Sequence, residues 1–135
     1  MKKNAFIMIL LYLSLINDIY SRKVKEFTCL TKYLTNINKS NIFKIEFEYE
    51  KCILSKDKYK NLYDYKKVLN KYGINYDYDS MCEANVSKLE ATPVLALIIG
   101  AFRAERFNEG IIFQFLNNGC LIKWIKRLKK IDDKI

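Results

Sequence analysis

The sequence predicts a mostly α-helical protein: a small helical domain with a carboxy-terminal three-helix module and one short strand or hairpin near residues 43–55. Three observations indicate this fold class. Apolar residues recur at helical spacing over much of the chain. Glycine and asparagine residues mark the ends of three segments within residues 93–131. The single proline and four glycines argue against long flexible linkers.

The first 21 residues differ in composition from the rest, which we expect to form a single domain over residues 22–135. Lys2 and Lys3 precede an apolar run over residues 5–16, the order found in secretory signals. That run is too short to cross a hydrocarbon core of roughly 30 Å unaided, which favours a signal or tether over a spanning helix. Export or membrane contact through this run is therefore one prediction, and a buried first helix in a cytoplasmic protein is the alternative.

The middle of the chain is predicted to begin with one helix and one strand. Apolar side chains from Val24 to Ile37 fall on one helical face. Residues 43–50 instead alternate strictly between apolar and charged side chains, which indicates a half-buried strand. Such a strand needs a partner, either a hairpin arm at residues 51–55 or another chain.

A further helix is predicted from Ser55 to Tyr72, where Gly73 can supply the left-handed residue that ends it. Six tyrosines fall between Tyr59 and Tyr78, interleaved with lysines. Such a belt can stack nucleobases. Helical spacing already explains most of these tyrosines as core residues with hydroxyls at the surface, so core packing is the favoured interpretation.

The carboxy-terminal module is predicted from its helix starts and stops. We expect a buried helix from Pro93 to Arg106, then a central helix capped by Asn108 and closed by Gly119. The final helix covers them with an apolar stripe of Leu121, Ile125, Leu128 and Ile131, with Trp124 beside it. Its outer face is basic throughout and consists of Lys123, Lys126, Arg127, Lys129 and Lys130.

The charge balance suggests a class of partner. The 24 basic and 15 acidic side chains give a net charge of +9, which favours anionic partners, although ordinary solvation is the alternative. Because no acid interrupts the basic face, we predict a non-enzymatic interaction module whose last helix contacts an acidic partner. A nucleic-acid-binding protein of helix-turn-helix-like type is the alternative, since tightly joined helices and clustered cations suit phosphate contacts. The oligomeric state is not predicted.

Several kinds of chemistry are excluded or disfavoured. The chain has no histidine, which excludes Ser-His-Asp, Cys-His and His-containing zinc sites. Acidic residues at Asp77, Asp79 and Glu83 lack a glycine-containing calcium loop, so no metal ligand and no cofactor is assigned. The four cysteines have no C-x-x-C spacing, and buried thiols are favoured over two disulfides unless the chain is exported. They are Cys29, Cys52, Cys82 and Cys120.

The most distinctive motif joins the first two helices of the module and reads Arg103-x-Glu105-Arg106-Phe107-x-Glu109-Gly110. With Gly119 and the closing Arg127-Leu128-Lys129, it resembles DUF6508, a bacterial domain family of unknown function. The resemblance is specific over residues 93–131, looser over residues 30–85, and does not extend to residues 1–22. It implies no assigned activity, and it implies an intracellular bacterial or phage-borne protein.

Two interpretations of this motif are open. Glu105, Arg106 and Glu109 could form a paired-carboxylate acid and base site, which is the enzyme alternative. No nucleophile or glycine-rich phosphate loop accompanies them, so no catalytic residue is assigned. The favoured interpretation is architectural: Phe107 fills the core, the arginines bond carboxylates or free carbonyls at the helix end, and Gly110 allows two backbones to approach.

Overall fold

The described part of a computed structural model comprises Phe27 and residues 37–133. Within it the chain forms α-helices and 3-10 helices and no strand, which confirms the mostly α-helical fold class. The α-helices are α1 (Ile42–Leu54), α2 (Tyr65–Lys71), α3 (Tyr78–Glu83), α4 (Ala91–Glu105), α5 (Ile111–Asn117) and α6 (Cys120–Asp133). The 3-10 helices are Asp57–Asp64 and Val86–Lys88.

Most residues covered by the amino-terminal predictions lie outside the described part of the chain. The signal-like segment 1–21 and all but Phe27 and Ile37 of the helix predicted over residues 24–37 lie outside the described residues. Among the helices described, none is both long and apolar enough to span a bilayer.

Helix α4 forms the centre of the core. Its residues from Pro93 to Phe102 are all buried, and it packs against α1, α2, α5 and α6. A helix that is apolar on every side must be enclosed by others, which explains its position. Pro93 stands in the first turn, where its missing N–H would have no acceptor within the helix. The buried helix predicted from Pro93 to Arg106 is confirmed and spans Ala91–Glu105, and it takes the central position that was predicted for the next helix.

The predicted strand over residues 43–50 is wrong, because these residues belong to α1. The alternation assigned Phe43 and Phe47 to the core side, yet their side chains are 55% and 65% exposed. A helix pairs its own backbone groups, whereas a lone strand leaves them without partners. The residues that α1 buries follow helical spacing and are Ile42, Ile45, Glu46, Tyr49, Ile53 and Leu54.

The helix predicted from Ser55 to Tyr72 is two successive pieces, the 3-10 helix Asp57–Asp64 and then α2. Gly73 adopts a φ of +74°, as predicted for the residue that ends the segment. Tyr59 is buried as expected, but Tyr72 is 39% exposed and does not face the core. The core interpretation of the tyrosines therefore holds for only part of the belt.

The three-helix module consists of α4, α5 and α6. Gly119 closes α5 with a φ of +80°, as predicted. The start of α5 differs from the prediction: the helix begins at Ile111, preceded by Gly110 at φ +94°. Gly110 occupies the cap position and no side chain caps α5, so the predicted Asn108 cap is wrong. Asn108 contributes only its carbonyl, which accepts a hydrogen bond from Ile111 N at 3.1 Å.

The expectation of buried thiols is wrong. Cys82 and Cys120 form a disulfide with their Cα atoms 5.2 Å apart, and Cys52 is disulfide-bonded as well. The bond joins the end of α3 to the first residue of α6 across a sequence separation of 38. Spacing along the chain does not reveal such a pairing, because it depends on the distance between the two Cα atoms after folding.

Candidate functional site

The basic residues of α6 border a groove of about 930 Å³. One wall is α6 with the preceding Gly119, and the other is the chain from Glu83 to Ser87. Four of the five predicted cations line the groove, whereas Lys129 does not. The four are Lys123, Lys126, Arg127 and Lys130.

Two of these cations bind the opposite wall. Lys123 Nζ donates hydrogen bonds to the carbonyl oxygens of Cys82 at 2.6 Å and Ala84 at 3.2 Å. Arg127 Nε donates to the carbonyl oxygen of Leu89 at 2.9 Å. Cys82 lies in the last turn of α3 and Leu89 follows the 3-10 helix, so their carbonyls lack donors within those helices and the cationic side chains satisfy them. The Ala84 carbonyl also accepts a hydrogen bond from Val86 N at 3.0 Å. The sequence prediction placed both side chains outside as solvated charge and missed this role.

The other two cations are free for a ligand. Lys126 and Lys130 are exposed and form no ion pair within the described residues, and Glu83 is the single acid among the residues that line the groove. Ile122, 44% exposed, adds an apolar surface to the same groove. The arrangement can bind carboxylate or phosphate groups beside an apolar side chain.

A second charged cluster joins α1 to the end of α4. Arg103 binds Glu50 through Nε to Oε2 at 3.0 Å and Nη2 to Oε1 at 2.8 Å. Arg106 Nη2 lies 3.0 Å from Glu46 Oε2, and Arg103 Nε lies 3.3 Å from the same oxygen. The motif arginines bond carboxylates, as the architectural interpretation predicts, and this bonding fixes α1 against α4.

Glu46 is the buried member of this cluster, with a side chain only 2% exposed. The pKa of its carboxyl is raised to about 7, first by burial and then by a hydrogen bond with Glu50, against the opposing charge of Arg106. Its Oε1 has no hydrogen-bond donor among the described residues. Glu46 therefore takes up a proton near neutral pH.

The remaining motif residues surround the start of α5. Glu105 accepts hydrogen bonds from Gly110 N through Oε2 at 2.9 Å and from Ile112 N through Oε1 at 3.0 Å. Both amides belong to the helix start, where N–H groups lack acceptors within the helix. Phe107 is 92% exposed, so the prediction that it fills the core is wrong. A Cβ at Gly110 would meet nothing within 4 Å, so this glycine is required by its positive φ and not by close packing.

A family model described as a family of unknown function, DUF6508, matches residues 59–134, which is more than half of the chain. The chain belongs to the DUF6508 family. The DUF6508 match includes both walls of the groove and the whole Arg103 to Gly110 motif. It excludes Glu46 and Glu50, the partners of the motif arginines. No curated protein and no solved structure matches the chain.

The enzyme alternative for this DUF6508 protein requires the motif carboxylates to be free in a pocket. Glu105, Arg106 and Glu109 do line one cavity, of about 460 Å³. Both carboxylate oxygens of Glu105 accept backbone N–H groups, however, and Arg106 is paired with Glu46. Only Glu109 of the three is without such a contact in the described part of the chain.

One of the three acidic residues after α2, Asp77, caps a helix. Asp77 Oδ1 accepts a hydrogen bond from Ser80 N at 2.7 Å and caps α3. Within Phe27 and residues 37–133, no group of three or more acidic or cysteine side chains is arranged to hold a metal ion.

Proposed function

We propose that this DUF6508 protein is a non-enzymatic interaction module that binds an acidic segment of a partner protein in the groove beside α6. The observation that supports it is the convergence of four cations on one groove that contains a single acid, Glu83. Exposed ion pairs are individually weak. Several cations facing one groove raise the local potential and steer an acidic chain toward it.

The apolar part of the groove supports binding as well as steering. Ile122 is the exposed apolar side chain of the α6 wall, and Ala84 and Val86 line the opposite wall. Partly apolar surfaces with a charged rim are typical of protein interfaces, in which a few buried contacts provide most of the affinity. An extended acidic segment with one apolar side chain suits this combination.

A protein partner is favoured over duplex DNA by the position of the opposite wall. A recognition helix must enter a major groove about 12 Å wide, with its own surface free. Lys123 and Arg127 bind the carbonyls of residues 82, 84 and 89, so that segment runs alongside α6. A groove of this shape accommodates an extended chain more readily than α6 can enter a duplex.

The test is fluorescence anisotropy of a labelled glutamate-rich peptide with the full chain, repeated in a salt series. The groove variant is Lys126→Glu/Lys130→Glu. A matched control, Lys67→Glu/Lys129→Glu, makes the same change in net charge at two exposed lysines outside the groove. We expect the groove variant to weaken binding at least about tenfold, with the control close to wild type.

Three outcomes would contradict the proposal. Equal weakening in both variants would indicate a general charge effect and not a site. Tighter binding of labelled mixed-sequence DNA or RNA, with a steep salt dependence, would favour the nucleic-acid alternative. No binding of the peptide at low salt would refute an acidic partner at this groove.

A further inference from the structure

We propose that the Cys82–Cys120 disulfide controls this groove, so that reduction weakens the binding of an acidic partner; this inference rests on the proposed function. The bond stands at the junction of the two walls. Cys82 directly precedes Glu83, where one wall begins, and Cys120 directly follows Gly119 and begins α6, the other wall. The disulfide is therefore a covalent link between the two sides of the groove.

The wall that begins at Glu83 packs on α6 through its 3-10 helix and has few other attachments. Between α3 and α4 its regular structure is one 3-10 helix of three residues, Val86–Lys88. Val86 is its only fully buried side chain from residue 83 to residue 90. Segments with few buried contacts open locally at little free-energy cost unless something else restrains them. The disulfide is such a restraint.

Cations of α6 hold this segment noncovalently near each of its two ends. Lys123 Nζ reaches the carbonyls of Cys82 and Ala84, beside the disulfide, so this contact depends on the position that the disulfide holds. Arg127 holds the far end through the Leu89 carbonyl. After reduction the far end stays attached, and α3 remains packed through buried Met81 and the Tyr78 hydroxyl bond to the Gln114 carbonyl, but the covalent link from Cys82 to α6 is lost. Lys123, Arg127 and the buried Val86 then hold the wall without the covalent bond, so its distance from α6 is less tightly fixed.

The two sulfurs differ in a way that suits reduction by a dithiol. Cys82 is half-buried and Cys120 is buried, at 6% exposed, so the Cys82 sulfur is the more accessible to attack. A reductant thiolate forms a bond to Cys82 Sγ, and the electron pair of the broken S–S bond leaves on Cys120 Sγ. Cys120 is the first residue of α6, where the positive end of the helix dipole stabilises a leaving thiolate.

The second thiol of the reductant then displaces Cys82 and completes the exchange. Two protons and two electrons convert the disulfide to two thiols, and the dithiol becomes a disulfide. Oxidised protein holds both walls and binds the acidic segment. Reduced protein has a loose wall, so binding must also order that wall, and the affinity falls.

The experiment measures peptide affinity in the oxidised state and after treatment with dithiothreitol. Because Cys52 is also disulfide-bonded, the protein tested is the full-length Cys29→Ala/Cys52→Ala variant, which retains only Cys82 and Cys120. Alkylation and mass spectrometry count the thiols in each sample. We expect reduction to raise the Kd for the glutamate-rich peptide about tenfold and reoxidation to restore it.

A second variant and a second measurement keep the result interpretable. Cys82→Ala/Cys120→Ala, made in the Cys29→Ala/Cys52→Ala background, should bind weakly and should not respond to dithiothreitol, while far-UV circular dichroism reports whether it remains helical. Amide hydrogen exchange at residues 83–89 should speed up on reduction of the Cys82/Cys120-only variant. Equal affinity in both redox states, or unchanged exchange at these amides, would overturn the proposal. If the oxidised wild type does not bind the peptide at all, the proposed function fails. The effect of reduction on the wall is then tested by the hydrogen-exchange measurement alone.

Discussion

The guanidinium of Arg103 binds the carboxylate of Glu50 through two hydrogen bonds, at 3.0 Å and 2.8 Å, and thereby ties the end of α4 to α1. Both side chains are partly buried, at 31% and 20% exposed, so the pair is less screened than an ordinary surface ion pair. This contact is one of several that hold a helix lying outside the DUF6508 match, together with the Tyr49 hydroxyl bond to the Leu95 carbonyl.

Arg103→Lys should lower the free energy of unfolding by about 1–2 kcal/mol, because lysine cannot form the two parallel hydrogen bonds. Urea denaturation measures the loss. The control is Arg106→Lys, since Arg106 makes one hydrogen bond to Glu46 and is 51% exposed. A loss as large in Arg106→Lys as in Arg103→Lys would show that the two-bond geometry is unimportant.

Glu46 should make stability depend on pH in the neutral range. The pKa of Glu46 is about 7 in the folded protein, against 4.5 for an ordinary glutamate carboxyl, so the folded state binds more protons than the unfolded state between pH 4.5 and about 7. The stabilisation that the bound proton contributes is complete below pH 4.5 and is lost as the pH rises through about 7. Raising the pH from about 5 to about 8 should therefore lower the free energy of unfolding, by at most about 3 kcal/mol.

Glu46→Gln should remove most of that pH dependence, because glutamine is neutral at every pH in the range. Chemical denaturation at several pH values measures it. Glu48→Gln, on the same helix, is the matched control and should keep the wild-type slope. The cause assigned to Glu46 would be wrong if both variants retained the same slope.

Glu105→Ala should destabilise the protein by about 1–2 kcal/mol, because the amides of Gly110 and Ile112 lose their acceptors at the start of α5. Amide hydrogen exchange should show lost protection at those two amides. Glu109→Ala removes an exposed carboxylate from the same motif and should change stability by less than about 0.5 kcal/mol. Unchanged exchange in Glu105→Ala would contradict the capping role.

Gly100→Ala should destabilise the protein even though alanine favours helices. A Cβ at this position would lie 3.0 Å from Tyr76 Cε1, and the Tyr76 hydroxyl is held by its 2.7 Å hydrogen bond to the Gly100 carbonyl. The ring cannot withdraw without losing that bond, so overpacking should cost about 1 kcal/mol or more.

The same substitution in a Tyr76→Ala background should instead be stabilising, by up to about 1 kcal/mol, because the helix propensity of alanine then acts without the Tyr76 clash. The other close neighbour, Met81 Cε at 3.3 Å, is the end of a flexible side chain and can move away. Thermal unfolding of the four proteins completes the double-mutant cycle. The same sign of the Gly100→Ala effect in both backgrounds would exclude Tyr76 as the obstacle.

Much of the fold was predictable where the signal is local. The continuous apolar run after Pro93 indicated the buried helix α4, and the glycines at 73 and 119 indicated where helical segments end. The prediction failed at α1, where a short alternating pattern agrees with a strand as well as with a helix. Only packing against α4 and the arginines at its end distinguishes the two, because a short apolar pattern does not determine its own period.

The candidate site was predictable in composition but not in arrangement. The basic face of α6 was evident from the sequence, and four of its five cations do line one groove. That Lys123 and Arg127 hold the opposite wall was not evident, because their acceptors are carbonyl oxygens, which every residue carries. The carboxylate partners of Arg103 and Arg106 were likewise hidden in a segment assigned to a strand.

The sequence by itself determined the helical class, the central buried helix, the helix ends at left-handed glycines and the basic character of α6. These follow from backbone sterics and from apolar spacing within one or two turns. The tertiary structure alone decided the Cys82–Cys120 bond, the wall that Lys123 holds and the proton affinity of Glu46. Each depends on distance and burial between residues far apart in the chain, which the folded packing sets and no local pattern records.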